Sequence, residues 1–292
     1  MIQRRARVLR AALALGLLAL GWRSAHADDS TPVRLRYGWA PAQSWRAVYS
    51  VKREMHLAQD VQTDLGVARF DYAVHPDAKR GSLRLEVRFV SQETAAGPSP
   101  LDFTPIVFRA GTDALGHLRG PDVRIGDARP PDLPGIEPDP VAYRQILEQA
   151  ASAWRQAAFW FPELPERPLA PGEEFVSRDD RDLGGGAPGT GMWMRSERRY
   201  RLVSVAQGIA RFHVEEDSHV DAAAGSEGVA SEQRAEGEAL FDLALGMWTR
   251  HELVSSQRAS FRGAPSAAAA DATSHSVTTI EMQRLSPGPD RD

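Results

Sequence analysis

The chain has no cysteine and no asparagine, and Lys52 and Lys79 are its only lysines. Without cysteine it can form no disulfide, thiolate metal site or cysteine nucleophile, and it lacks the residue for a lipoprotein acyl anchor. Lys and Asn have AT-rich codons, so their scarcity points to a GC-rich bacterial genome rather than to a function. Apolar runs are short. Ala11 to Leu20 has ten residues, against the ~20 that a membrane-spanning helix needs. Serine-nucleophile patterns of the G-x-S-x-G and S-x-x-K types are missing. Gly184, Gly186 and Gly189 satisfy G-x-G-x-x-G formally. A charged run, Arg178 to Asp182, precedes them and a strand-like segment follows, whereas a dinucleotide fingerprint needs a buried strand before and a helix after. No lysine follows either, which removes a phosphate-binding P-loop.

What is present begins with an address. Arg4, Arg5, Arg7 and Arg10 form a basic start, Ala11 to Leu20 is apolar, and Ala25-His26-Ala27 supplies a small-x-small cleavage pattern before Asp28. This is the layout of a cleaved export signal over residues 1–27, with a periplasmic or secreted mature chain. Gln3 before Arg4-Arg5, and Arg7-Val8 after it, favour the general secretory route over the twin-arginine one. The chain has 35 basic and 39 acidic residues. Removing residues 1–27, with five arginines and no acid, leaves a net charge of −9. Such a chain is not expected to seek nucleic acid or an anionic membrane surface. No later apolar run is long enough to cross a membrane as a helix.

Most of the mature chain alternates apolar and polar residues, as half-buried strands do. Val33 to Trp39, Trp45 to Leu57, Phe70 to His75 and Ser82 to Ser91 read this way, with turns expected at Asp64-Leu65-Gly66 and from Pro76 to Gly81. Ile106 to Ala110 and Leu115 to Leu118 read as a short hairpin. Residues 120–138 carry prolines that forbid a regular helix or a central strand, and are expected to be a linker. Later strands are expected at Glu174 to Ser177, Met192 to Val205, Gly208 to Glu216, Glu232 to Leu243, Met247 to Phe261 and Val277 to Leu285. Asp179 to Gly191, Val220 to Ser231 and Ala264 to Ala272 read as polar or low-complexity connections, and residues 286–292 as a frayed tail. The turn segments Phe108 to Gly116 and Phe241 to Gly246 resemble one another, which raises an internal duplication of residues 28–119 in residues 162–285.

Asp139 to Phe161 differs from all of this. Tyr143, Ile146, Leu147, Ala150, Ala151, Trp154, Ala157, Ala158 and Phe161 recur at helical steps and make one apolar stripe. Asp139 can cap the first turn, Pro140 suits the first helical position and Pro162 stops the helix. The expected fold is therefore mainly β: a curved antiparallel sheet or half-barrel with one long amphipathic helix packed across it.

Sites with chemistry are few. Asp179, Asp180 and Asp182 could cluster around calcium, but an acidic triplet among arginines is more often a solvated loop. The mature histidines lack metal-ligand spacing. His213 and His219 flank Glu215, Glu216 and Asp217, acids that could act in a hydrolase only if the fold brought them together. No metal or cofactor is expected. Aromatic residues at the helix end, Trp154, Trp160 and Phe161, with Tyr49, Leu85 and Phe89 on the strands they would face, are the expected ligand contacts, unless they only fill a core.

An exported chain whose long alternating strands are crossed by one amphipathic helix resembles the periplasmic lipoprotein-carrier superfamily, the LolA-like and LppX-like proteins. The segments Leu164-Pro165, Pro168 to Phe175, Tyr200 to Val203, Gly208 to Ala210 and Phe241-Asp242 with Gly246 are similar to exported β-rich families of GC-rich bacteria. The carrier resemblance implies a half-barrel with helices over an apolar concave face, and a lipid or lipidated envelope protein as partner. It transfers no site residue. The expected function is an exported, non-enzymatic carrier or binding protein for a lipidic or apolar ligand. The alternatives are an envelope hydrolase with a carboxylate site assembled in three dimensions, or a structural envelope component.

Overall fold

A computed structural model describes residues 31–57, 60–77, 82–132, 137–182, 192–222, 228–262 and 272–286. The expected export signal, with Ala25, Ala27 and Asp28, lies outside the described residues, as do the glycine-rich stretch 183–191 and the alanine-rich stretch 263–271. Among the described residues twelve strands form the fold: β1 Ser44–Leu57, β2 Asp60–Pro76, β3 Leu83–Thr94, β4 Gly97–Pro98, β5 Ile106–Thr112, β6 Arg119–Ile125, β7 Glu174–Asp182, β8 Met192–Ala206, β9 Ile209–Ala222, β10 Gly228–Asp242, β11 Met247–Arg262 and β12 Ala272–Arg284. One helix, α1 Pro140–Ala158, separates β6 from β7.

All strands join one antiparallel sheet in the order β6-β5-β3-β2-β1-β12-β11-β10-β9-β8-β7, with β4 a short addition to β3. The sheet is open, since β6 and β7 end the order without pairing to each other. Most sheet neighbours are also chain neighbours, and the pairing that spans the greatest sequence distance is between β1 and β12. It runs from Trp45↔Arg284 to His56↔Thr273 and joins the first half of the chain to the last. Period-two alternation sets the faces. Leu85, Val87 and Phe89 are buried on β3, as are Tyr200 and Leu202 on β8, and Ala210, Phe212 and Val214 on β9. The opposite face carries cross-strand ion pairs such as Arg46–Asp71 at 2.7 Å, which at this exposure add ~0–1 kcal/mol each.

The helix starts where its sequence says. Asp139 Oδ1 accepts from the backbone N–H of Val141 at 2.9 Å and of Ala142 at 3.1 Å, with Pro140 in the first turn; such a cap contributes ~1 kcal/mol. Tyr143, Leu147, Ala151 and Ala158 are buried, but Ile146 is exposed, so the stripe is narrower than its periodicity implied. The helix also ends at Ala158, before Phe161. Phe159 leaves helical geometry at φ −121 and ψ 47. An extended turn lets three consecutive aromatics, Phe159, Trp160 and Phe161, all be buried, which a helix would send to different sides.

Several segments differ from their sequence pattern. Val33 to Trp39 alternates and buries Leu35, Tyr37 and Trp39, but it is not a sheet strand. It is a strap with a single bridge, Val33 to Leu169. Tyr37 N–H donates to the Ala114 carbonyl at 2.8 Å and Gly38 N–H to the Gly246 carbonyl at 2.9 Å, which ties the strap to turns in both chain halves. Those two turns belong to the similar segments noted above. In each an aspartate, Asp113 or Asp242, accepts from following backbone amides. Gly246, at φ +61, lies so close that a Cβ would fall 2.3 Å from the Gly38 nitrogen; a side chain there would lift the strap.

Asp64-Leu65-Gly66 does not turn; β2 runs through it. Arg119–Ile125 forms an edge strand in place of part of the expected linker, and its Pro121 is tolerated because only one side of β6 is paired. Leu115 to Leu118 is therefore the connection and not the second hairpin strand. β7 extends through the charged run to Asp182, β9 continues to Ala222, and β10 begins at Gly228, so much of the supposed polar connection is strand.

Candidate functional site

A cavity of about 510 Å³ lies between the end of α1 and the inner face of the sheet. Its lining comes from seven adjacent strands, β1 and β12 through β7, with Trp154 and Ala157 of the helix and the Phe159–Phe161 turn opposite them. Four of the six expected contacts, Tyr49, Trp154, Trp160 and Phe161, line this space. Leu85 and Phe89 do not. Phe89 packs edge-on against Phe70 and Phe103, with ring centroids 5.3 and 5.4 Å away, in the solid core beneath the helix. Trp154 sits between the two regions. Its ring meets Phe89 at 5.9 Å on one side and Tyr49 at 6.3 Å on the other.

The sheet wall of the cavity is largely polar, unlike the apolar concave face that the carrier resemblance implied. It holds the ion pair of Arg198 on β8 and Glu216 on β9, at 2.8 Å. Ser196 Oγ donates to Glu216 Oε1 at 3.1 Å, and Ser218 Oγ lies 3.0 Å from the same oxygen. Burial pushes the Glu216 carboxyl up, but Arg198 and the two serines outweigh it and leave the group below its ordinary value. Burial opposes the Arg198 guanidinium, yet Tyr200 and Glu216 hold it above its usual value. Both are therefore charged at neutral pH. His251 on β11 is buried close by, 3.4 Å from the Tyr200 hydroxyl, its ring 5.9 Å from that of Trp160. Burial, helped by the positive Arg198, pulls its pKa down to about 3, so the imidazole is neutral.

The acids that the alternative hydrolase reading would need to converge do not. Glu215, Glu216 and Asp217 are consecutive on β9, so Glu216 faces inward while its neighbours face solvent. His213 pairs on the outer face with Glu215 at 3.3 Å. Among the described residues no group of three or more His, Cys, Asp or Glu could hold a metal ion. No helix among them is long and apolar enough to cross a membrane, which says nothing of strands. Sequence reasoning missed Arg198 and His251 as cavity residues. Their signal was available in principle, since each shares parity with buried neighbours, Arg198 with Tyr200 and Leu202, His251 with Leu253.

No protein-family model matches the sequence, and no curated protein matches it. Among solved structures, lipovitellin, in a structure concerned with its lipid–protein interactions, aligns at 10% identity and a TM-score of 0.42. The alignment covers 87% of this chain and 26% of that one, so this chain spans about a quarter of lipovitellin's length. The attachment invasion locus protein Ail of Yersinia pestis aligns at 4% identity and a TM-score of 0.19, covering 84% of this chain and all of Ail. OpdQ of Pseudomonas aeruginosa aligns at 7% identity and 0.25, covering 85% of this chain and all of OpdQ.

Proposed function

We propose that this chain is an exported, non-enzymatic binding protein of a bacterial cell envelope, and that the cavity beside Trp154 and Trp160 holds an amphiphilic small molecule. The observation that carries the proposal is the two-sided lining: aromatic on the helix side, hydrogen-bonding on the sheet side. Its volume lies within the range of small-molecule pockets, ~300–1,000 Å³. The half-barrel form fits as well. In a flat sheet β1 and β7 would stand about 29 Å apart, yet residues of both border one 510 Å³ space. Export is supported by the arrangement of residues 1–27. A binding role is favoured over hydrolysis because Glu216, the inward acid of its triplet, is engaged by Arg198 and two serines.

Native mass spectrometry of the mature protein, before and after organic extraction, tests the binding role. The expected result is an adduct that extraction removes. A bare apo mass under gentle ionisation, together with no response of tryptophan fluorescence to any amphiphile, would end the proposal. Export is tested by fractionation of cells expressing the full chain. Recovery of the uncleaved protein in the cytoplasm would overturn it.

A further inference from the structure

We propose that the ligand's polar part is uncharged and rich in hydroxyl groups, as in an alkyl glycoside or a glycolipid. This rests on the binding reading above and specifies its ligand class. The inference comes from the wall formed by β10, β11 and β12. Ser231 and Gln233 on β10, Ser255 and Gln257 on β11, and Ser276 and Thr278 on β12 all line the cavity. Their inward direction follows from alternation, because Ser231, Ala235, Leu253, Ser255 and Ile280 of the same parity are buried. Over these three strands no charged side chain lines the cavity, and His251 at its deep end is neutral.

The polar groups are already placed relative to one another. Ser255 and Ser276 hydroxyls lie 2.7 Å apart, Gln257 Nε2 donates to Ser231 Oγ at 3.1 Å, and Ser274 Oγ donates to Gln257 Oε1 at 3.4 Å. Hydroxyls and amides both donate and accept. A ligand hydroxyl can enter such a network in either sense, while a carboxylate can only accept and an ammonium can only donate. The deep charges give an ionic head no partner, since Arg198 and Glu216 engage each other. Charged residues bordering the cavity elsewhere, Arg53, Glu163, Arg178 and Asp179, are of both signs. The first three are exposed, and Arg178 pairs with Glu197 at 3.0 Å. An ionised head moved from water to the β10–β12 wall would lose hydration, and Arg53, the charge across from Ser276, is exposed to solvent and repays little of that loss. A polyhydroxyl head would exchange water for serine and glutamine partners. The apolar part of the same ligand lies against Trp154, Trp160, Leu253 and Ile280.

Three probes with a common ten-carbon tail separate the possibilities: decyl maltoside, decanoate and decylammonium. Each is titrated into the mature protein below its micelle concentration, at neutral pH, with tryptophan fluorescence as the readout. The maltoside is expected to bind at least about tenfold more tightly than either ion, which corresponds to about 1.4 kcal/mol. An ionic probe binding as tightly as the maltoside, or more tightly, overturns the head-group assignment and leaves the binding role standing. Failure of all three, with a bare native mass, overturns the binding role itself. Gln257→Leu, with folding checked by circular dichroism, is expected to cut the maltoside preference to about threefold or less. Should it not fold, Ser276→Ala serves the same purpose with a smaller loss. A preference unchanged in a folded variant overturns the placement of the head on this wall.

Discussion

The inner face of the sheet is built in two ways by one alternating rule. Beneath the helix, β2, β3 and β5 turn Phe70, Phe89 and Phe108 inward, and they meet Tyr143, Leu147 and Phe103 in a filled core. On β10, β11 and β12 the inward positions away from the strap are serine, glutamine and threonine, and a cavity lies over them. The strands are equally regular in both regions. What differs is the cover. Among the described residues one nineteen-residue helix covers a sheet of twelve strands and cannot roof all of it, so apolar residues occur inward where the helix, its terminal turn or the strap lies above them. Elsewhere the face mixes groups that hydrogen-bond with a few apolar side chains such as Val51, Met194 and Val220. Trp154 and Trp160 mark the border, because each touches the filled region and the cavity.

If one region is core and the other is site, truncation should separate them. Phe89→Ala removes a ring from the filled region and is expected to cost about 3–5 kcal/mol, read as a fall in the urea midpoint, with probe affinity unchanged in the protein that remains folded. An effect on affinity larger than on stability would move the site under the helix. Arg198→Met leaves Glu216 buried without its partner and is expected to cost about 3 kcal/mol. The double variant Arg198→Met with Glu216→Leu should recover most of that. A double variant as unstable as the single one would mean the pair acts through packing and not through charge.

The pH dependence follows from His251 and Glu216. Protonation of His251 is disfavoured in the folded state, with a pKa of about 3 against an unfolded value of 6.5. Its contribution is complete above pH 6.5 and is lost as pH falls towards 3, because the unfolded chain then binds the proton more readily. Glu216 acts in the same sense at lower pH. Its contribution is present above 4.5 and is lost as pH falls through its depressed folded value. Urea midpoints measured from pH 7.5 to 4 should decline, and His251→Phe should flatten the upper part of that decline. A rise in stability on acidification would contradict the neutral, buried imidazole. The smallest effect belongs to the polar wall. Ser255→Ala is expected to change stability by about 1 kcal/mol or less, and a larger loss would mean that the wall is structural core like its neighbour.

Much of the fold was legible because period two and period 3.6 leave different marks. Leu83, Leu85, Val87 and Phe89 against Arg84 and Arg88 specify a strand and its buried side. Asp139-Pro140 specifies where the helix starts. The misreadings share one cause. Alternation at Val33 to Trp39 reports extended backbone with one buried face, and a strap meets that description as well as a strand does. At Pro121 the ring forbids a central strand but not an edge one. Ser231 fell in a segment that reads as a polar connection, and composition does not mark Ser255 and Ser276 as inward positions that share parity with buried residues.

By itself the sequence determined local matters: which residues extend, which side of each strand is buried, where the helix is capped, and that cysteine chemistry is closed to this chain. Those depend on steric and hydrogen-bonding preferences within a few residues. Only the tertiary structure decided that β1 lies beside β12, that the strap ties the turns at Ala114 and Gly246, and that Arg198 meets Glu216 across a strand pair. It also showed that helix-end aromatics face serines and glutamines of β10 to β12 that are seventy or more residues away in sequence. Register between distant strands is set by cooperative pairing along their whole length and by what covers their faces, and neither is written at any single position.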